Sequence, residues 1–249
     1  MEVNNFVYGD AKRIFVNTDM GCNANCQYCY LPSLGIVHGK RKISAYQAIE
    51  LVENLKYYKS GKEGTIISIG CYSECMDKDN VADTITLVKY FVSNGNFVQL
   101  STKKQIERSF FEEIIQCTNI KRRLWIYVSL PVITNSCFIE EGTDAPEERI
   151  RNFDICQQYN INSVLYIKPY LDGVTNKDIV QYSKLVAQYN IPAVVGEMLS
   201  TRQNMQRTIV GEKRLFEYRV QGMDEFINQL EKSTKVYLHS IDCMKYKGE

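Results

Sequence analysis

Cys22, Cys26 and Cys29 stand in the run Met20-Gly21-Cys22-Asn23-Ala24-Asn25-Cys26-Gln27-Tyr28-Cys29-Tyr30, directly after the apolar segment Arg13-Ile14-Phe15-Val16-Asn17. Three thiolates spaced C-x3-C-x2-C in one short loop can hold three corners of a cubane iron–sulfur cluster, because iron prefers soft sulfur ligands. The fourth iron is then left without a protein ligand and open to a small molecule. A structural zinc would need four ligands, usually in spaced pairs, and no second C-x2-C pair exists in the chain. A non-catalytic metal-binding regulator would have to close the site with a group from the tail, such as Cys243.

The loop needs elements to position it. Apolar runs at 13–18, 65–70, 97–101, 124–130, 163–168 and 192–198 read as strands, and amphipathic stretches alternate with them. Ser44 and Gln47 form a capping box ahead of Ile49, Val52 and Leu55, with Gly61 as a stop. Thr175 and Asp178 read as a second box ahead of Ile179, Tyr182, Val186 and Tyr189. Pro146 suits a first helical turn ahead of Ile150, Phe153 and Cys156. Six strand–helix units in strict alternation imply parallel strands joined by right-handed crossovers. The expected fold is α/β, a partial (β/α)6 barrel of parallel strands over 1–212. A short α+β C-terminal extension over 213–249 would pack on it, with a strand near 214–220, a helix near 223–232 and the apolar piece Val236-Tyr237-Leu238. In such barrels chemistry collects at the carboxyl ends of the strands. The cysteine loop follows the first strand, and the residues past the other strand ends become candidates.

Composition narrows the partners. Thirty lysines and arginines against 29 aspartates and glutamates give a net charge of +1, so no global charge favours nucleic acid. Local basic runs occur at Lys40-Arg41-Lys42, Lys103-Lys104 and Lys121-Arg122-Arg123. Neither a signal peptide nor an apolar stretch of the roughly 18 residues that span a bilayer is seen, so a cytoplasmic protein without membrane contact is expected. Nine cysteines then imply reduced thiols, not disulfides. His38 and His239 have no paired ligands nearby and read as structural.

The cysteine run strongly resembles the radical S-adenosylmethionine (radical SAM) enzymes. Cys71-Tyr72-Ser73-Glu74, Ser101-Thr102-Lys103, Val128-Ser129 and the run from Glu140 to Ile150 look, more narrowly, like the spore photoproduct lyase branch. The resemblance implies a [4Fe–4S] cluster on Cys22, Cys26 and Cys29, whose open iron chelates S-adenosylmethionine. One electron, from a donor such as flavodoxin or ferredoxin, then yields a 5′-deoxyadenosyl radical. It also implies that the Tyr28 carbonyl meets the adenine amino group. Ser73 and Glu74 would meet methionine or ribose groups, Lys103 the carboxylate, and Ser129 the sugar or carboxylate side. Cys71 matches a cysteine that returns a hydrogen atom to the substrate radical, and Tyr30 a tyrosine beside it in that relay. For Cys71 read alone, a small packed residue is the other reading.

Two features depart from that branch. Only 21 residues precede Cys22, and Glu74 stands where an aspartate is usual. With no basic hairpin to hold a duplex open, the expected substrate is a nucleoside, nucleotide or other small molecule. Repair of a DNA lesion, modification of a peptide and activation of a partner enzyme are the alternatives.

Overall fold

Leu124, Ile126, Val128 and Leu130 are fully buried, and so are the alternating Trp125 and Tyr127. A strand apolar on both faces must be covered on both, which is the condition of a parallel sheet in an α/β protein. A computed structural model of the chain describes residues 6–36, 42–200, 209–210 and 215–245. Its main sheet has eight strands lying in sequence order: β1 (Val7–Gly9), β2 (Arg13–Val16), β3 (Ile66–Ile69), β4 (Val98–Thr102), β5 (Leu124–Ser129), β6 (Asn162–Ile167), β7 (Ala193–Val195) and β8 (Val236–Tyr237). β2 to β8 are mutually parallel, while β1 runs antiparallel to β2 with Val7 opposite Val16. The six expected strands are therefore all present. β1 carries no mark in the sequence, the apolar piece Val236-Tyr237-Leu238 of the tail supplies β8, and the boundary expected at 212/213 falls among residues outside those described.

The crossovers are α1 (Ala45–Glu53), α2 (Val81–Ser93), α3 (Arg108–Ile114), α4 (Pro146–Tyr159) and α5 (Ile179–Tyr189), with α6 (Met223–Leu230) leading into β8. One face of the sheet, with Ile14, Ile67, Leu100, Ile126 and Leu165, packs on helix residues such as Leu87, Phe91 and Phe153. Side chains alternate along a strand, so Trp125, Tyr127, Val164 and Val194 point to the opposite, inner face. There they meet Cys243 and Met244 of the terminal helix Ser240–Lys245. Tyr127 donates a hydrogen bond to the Ser240 carbonyl at 2.8 Å, tying that helix to the inner face.

Local signals fared unequally. Ser44 caps α1 as expected, accepting from the Gln47 amide at 3.2 Å while the Gln47 side chain accepts from Ser44 N at 2.9 Å. Replacing this cap, Ser44→Ala, should cost about 1 kcal/mol. For a chain of this size that lowers Tm by about 2–4 °C, measurable by calorimetry, and no change would mean that the cap is redundant. α1 stops at Glu53, with Asn54 as its C-cap, so Leu55 and Gly61 lie beyond it. The box expected at Thr175 and Asp178 does not form. Those residues make a 3-10 turn before α5, and their side chains serve tertiary partners. The Thr175 hydroxyl donates to the Pro131 carbonyl at 2.8 Å. Asp178 accepts from Ile133 N at 2.8 Å, Thr134 N at 2.9 Å and the Thr134 hydroxyl at 2.6 Å. Among the described residues no helix is long and apolar enough to cross a membrane.

Candidate active site

The cysteine loop leaves the end of β2 and is braced by a distant segment. Asn25 and Cys26 pair antiparallel with Glu141 and Glu140. Gln27 donates through its amide to the Ile139 carbonyl at 2.9 Å and through its side chain to the Phe138 carbonyl at 2.7 Å. On its other flank, Gly21 N donates to the Tyr72 carbonyl at 2.8 Å, and the Asn17 side chain accepts from Tyr72 N at 2.7 Å. So the loop is fixed at both ends to the mouth of the sheet.

Glu140 is the centre of the brace. Its carboxylate is 1% exposed and lies 2.9 Å from the guanidinium of Arg149, itself fully buried on α4. Tyr28 of the cysteine loop donates its phenol proton to the same carboxylate, and Arg149 donates to the Ser129 carbonyl at 2.9 Å. Lys103, at the end of β4, reaches the Ser129 hydroxyl at 2.8 Å and stands 4.0 Å from Glu140. Burial, reinforced by the Glu140 charge, raises the Tyr28 phenol well above its ordinary range. Glu140 and Arg149 were not nominated from the sequence, since charged residues nine apart carry no signal of pairing.

Glu74, past β3, is buried. It accepts from the Thr102 hydroxyl at 2.6 Å, Lys103 N at 2.9 Å and Met76 N at 3.0 Å. Burial raises its pKa, against the pull of those three donors. The carboxylate thus holds the Lys103 turn in place, whatever else it touches. Gly70 lets the chain turn off β3 at a φ of 88°, in the left-handed region, where an added Cβ would come within 2.9 Å of the Ser101 carbonyl. The next residue, Cys71, receives a hydrogen bond at its sulfur from Tyr8 at 3.0 Å. Tyr30 gives its proton to the Cys71 carbonyl at 2.7 Å and its oxygen lies 3.5 Å from the sulfur. Tyr8 stacks on Phe15 and Tyr72, with ring centroids 4.9 Å apart in each case. Burial first, and then Cys71, raise both phenols well above their ordinary range. Tyr8 lies on the unforeseen β1, where no motif marked it.

One cavity of about 350 Å³ opens among these elements at the carboxyl ends of the strands. Cys22, Cys26, Cys29, Tyr28, Tyr30, Cys71, Ser73, Glu74, Lys103 and Ser129 all line it. Burial pushes the Cys22 thiol up to about 11 and raises Cys26, where Lys103 acts in the opposite sense. Binding a metal centre therefore has to displace protons. Among the described residues no three His, Cys, Asp or Glu side chains converge closely enough for a single metal ion. A cubane spreads its ligands over separate iron corners, so three thiols around one cavity fit a cluster better than they fit one zinc. Cys243, the tail residue that could have closed a four-ligand site, is 1% exposed against Trp125 and Tyr127 on the inner face of the sheet.

The family model described as the radical SAM superfamily matches residues 16–186. The chain belongs to the radical SAM superfamily. Membership makes it an enzyme and implies an iron–sulfur cluster and S-adenosylmethionine as its cofactors. No curated protein matches the sequence. Among solved structures, spore photoproduct lyase complexed with dinucleoside spore photoproduct is similar, with a TM-score of 0.64 at 12% identity over 95% of this chain and 81% of that one. A mutant of that lyase with bound AdoMet and dinucleoside spore photoproduct gives 0.67 at 13%, over 95% and 81%. SuiB of Streptococcus suis bound to S-adenosylmethionine gives 0.61 at 10%, over 92% of this chain and 51% of that one. At these identities the likeness is one of fold, and it agrees with the expected partial barrel.

Proposed function

We propose that this radical SAM enzyme carries one [4Fe–4S] cluster on Cys22, Cys26 and Cys29 and abstracts a hydrogen atom from a nucleoside, nucleotide or other small molecule. The observation that carries the reading is a single cavity at the strand ends, lined by the three cysteines together with Lys103, Ser129 and Cys71. Bound there, the cluster and S-adenosylmethionine would supply a 5′-deoxyadenosyl radical; the protein supplies orientation and electrostatics. Lys103 is steered by Ser129 and its ammonium is aimed along the cavity wall, suited to a carboxylate. Glu74 fixes the turn from which Lys103 extends. Ser73 and the Tyr28 backbone are left to meet the cofactor's remaining polar groups, the Tyr28 phenol being engaged by Glu140. Cys71 would return a hydrogen atom to the substrate radical. Its thiol is aimed by Tyr8, with Tyr30 beside it.

A nucleotide-type substrate is supported by the fold likeness to spore photoproduct lyase, whose structure holds a dinucleoside spore photoproduct. The basic runs do not favour a DNA duplex. Lys121, Arg122 and Arg123 precede β5, at the end of the sheet opposite the cysteine loop. Lys104 is paired with Asp144 at 3.0 Å, and Lys42 lies 3.9 Å from Asp83; Lys40 and Arg41 lie outside the described residues. Anaerobic reconstitution should load about four irons per chain. Dithionite plus S-adenosylmethionine should then release 5′-deoxyadenosine, detected by chromatography. A protein that takes up zinc in preference and releases none would overturn the reading.

A further inference from the structure

The cavity has a second, deeper end that none of the roles above uses. Arg13, at the start of β2, points into it from the inner face of the sheet, with its guanidinium 4.3 Å from the centre of the Phe15 ring. Its Nε donates to the Ser68 hydroxyl at 2.7 Å, and an Nη donates to the Gln99 carboxamide oxygen at 3.0 Å. Among the described residues no carboxylate pairs with the Arg13 guanidinium; Asp10 accepts from the Arg13 backbone amide at 3.1 Å. The two acceptors of the guanidinium are neutral, so a partly buried positive charge faces the cavity with no ion-pair partner among the described residues, a setting that favours an incoming anion.

The surrounding groups are donors as well. Ser68 accepts from Arg13 and keeps its own hydroxyl proton to give. Gln99, 2% exposed, turns its oxygen to Arg13 and so offers its amide N–H groups. Tyr166, which also lines the cavity, adds a phenol. The carboxylates that line the same cavity, Glu74, Asp77 and Glu197, all stand past the strand ends at its mouth. Glu74 is engaged by Thr102 and Lys103, and Glu197 lies 3.7 Å from Arg219. The floor holds Arg13 and neutral donors with no carboxylate among its lining residues, whereas the mouth holds the cysteines and a mixture of acids and lysines, Lys103, Lys104 and Lys168.

We propose that Arg13, with Ser68 and Gln99, forms an oxyanion-binding floor that takes a phosphate or carboxylate group of the substrate. The proposal rests on the function proposed above and narrows its substrate class. A guanidinium fork matches both oxyanions in two-point geometry. Ser68 lies within β3, one residue before its end at Ile69, and so below the Gly70 turn that leads to Cys71. A substrate anchored by its anionic group on this floor would lift a carbon some ångströms away toward the cysteine end. Neutral nucleosides would lack the anchor; nucleotides and small carboxylic acids would have it.

The test is anaerobic isothermal titration of the reconstituted protein with inorganic phosphate and with acetate, at constant ionic strength. At least one of the two should bind the parent, and Arg13→Gln should weaken it by about tenfold or more. Arg13→Lys, which keeps the charge and loses the fork, should fall in between. A preference for phosphate would assign a phosphorylated substrate, and a preference for acetate a carboxylic acid. Thermal melting shows whether Arg13→Gln folds, and if it does not, Arg13→Lys and Ser68→Ala carry the comparison. Binding of neither anion to the parent, or equal binding by folded variants, would overturn the floor. Iron content and 5′-deoxyadenosine release of the parent are scored separately. A parent that cleaves S-adenosylmethionine but ignores both anions refutes the floor and leaves the radical chemistry standing.

Discussion

Cys26→Ala should leave a folded protein that no longer holds its cluster. Iron after reconstitution is expected to fall from about four per chain to below one, and 5′-deoxyadenosine release to fall by at least about a hundredfold. Removing an outer-shell partner of a metal ligand already costs about 10–100-fold, and loss of a ligand costs more. The fold should survive because Cys26 contributes its backbone, not its side chain, to the ladder with Glu140, and alanine keeps that backbone. Its thiol is only partly buried, so little packing is lost. Two further replacements give the result its meaning. Cys117→Ala removes a thiol that does not line the cavity and should change neither iron nor cleavage. Cys71→Ala should keep the iron and the cleavage, because the proposed part of Cys71 begins after the radical has reached the substrate. If the Cys26→Ala protein cleaved the cofactor at the parent's rate, the ligand assignment would fail. If Cys71→Ala lost its iron, Cys71 would be a ligand, and no iron would be left open for S-adenosylmethionine.

The cysteine loop could be read from the chain because its chemistry is local, with ligand type and spacing confined to eight residues. The strands could be read for a related reason. A parallel strand covered on both faces needs apolar residues at every position, so Leu124 to Leu130 announces itself without a partner. β1 carried no such mark. It is a three-residue edge strand, and Tyr8 reaches Cys71 only through the pairing of β1 with β2. Thr175 and Asp178 show the converse error. Their spacing suits a capping box, yet groups from the 130–134 segment and Leu171 offered better partners, and a cap is worth only about 1 kcal/mol. Arg149 was hidden most completely. It neighbours the apolar Ile150 in an amphipathic helix, where a charge reads as a solvated face. Only the folded chain puts it beside Glu140.

That pair carries the second large effect. Glu140→Ala leaves the fully buried Arg149 guanidinium without its counter-charge, and breaking a buried pair from one side costs about 3–5 kcal/mol. At about 2–4 °C per kcal/mol for a chain of this size, Tm should fall by about 6–20 °C. The same replacement removes the acceptor of the Tyr28 phenol and one anchor of Lys103. The loss should therefore be felt in the cysteine loop beyond its share of global stability, as faster release of iron from the reconstituted protein at temperatures well below Tm. Glu140→Gln keeps the shape and an acceptor for Tyr28 but not the charge, and should fall between the two. The double replacement Glu140→Leu with Arg149→Met separates stability from loop bracing. It removes both charges at once, so it should recover most of the lost Tm, while iron retention stays low because Tyr28 still has no acceptor. Recovery of both properties would mean that Glu140 serves only to neutralise Arg149. Recovery of Tm alone would mean that a carboxylate buried under the 140–141 ladder is what holds the cysteine loop in its shape.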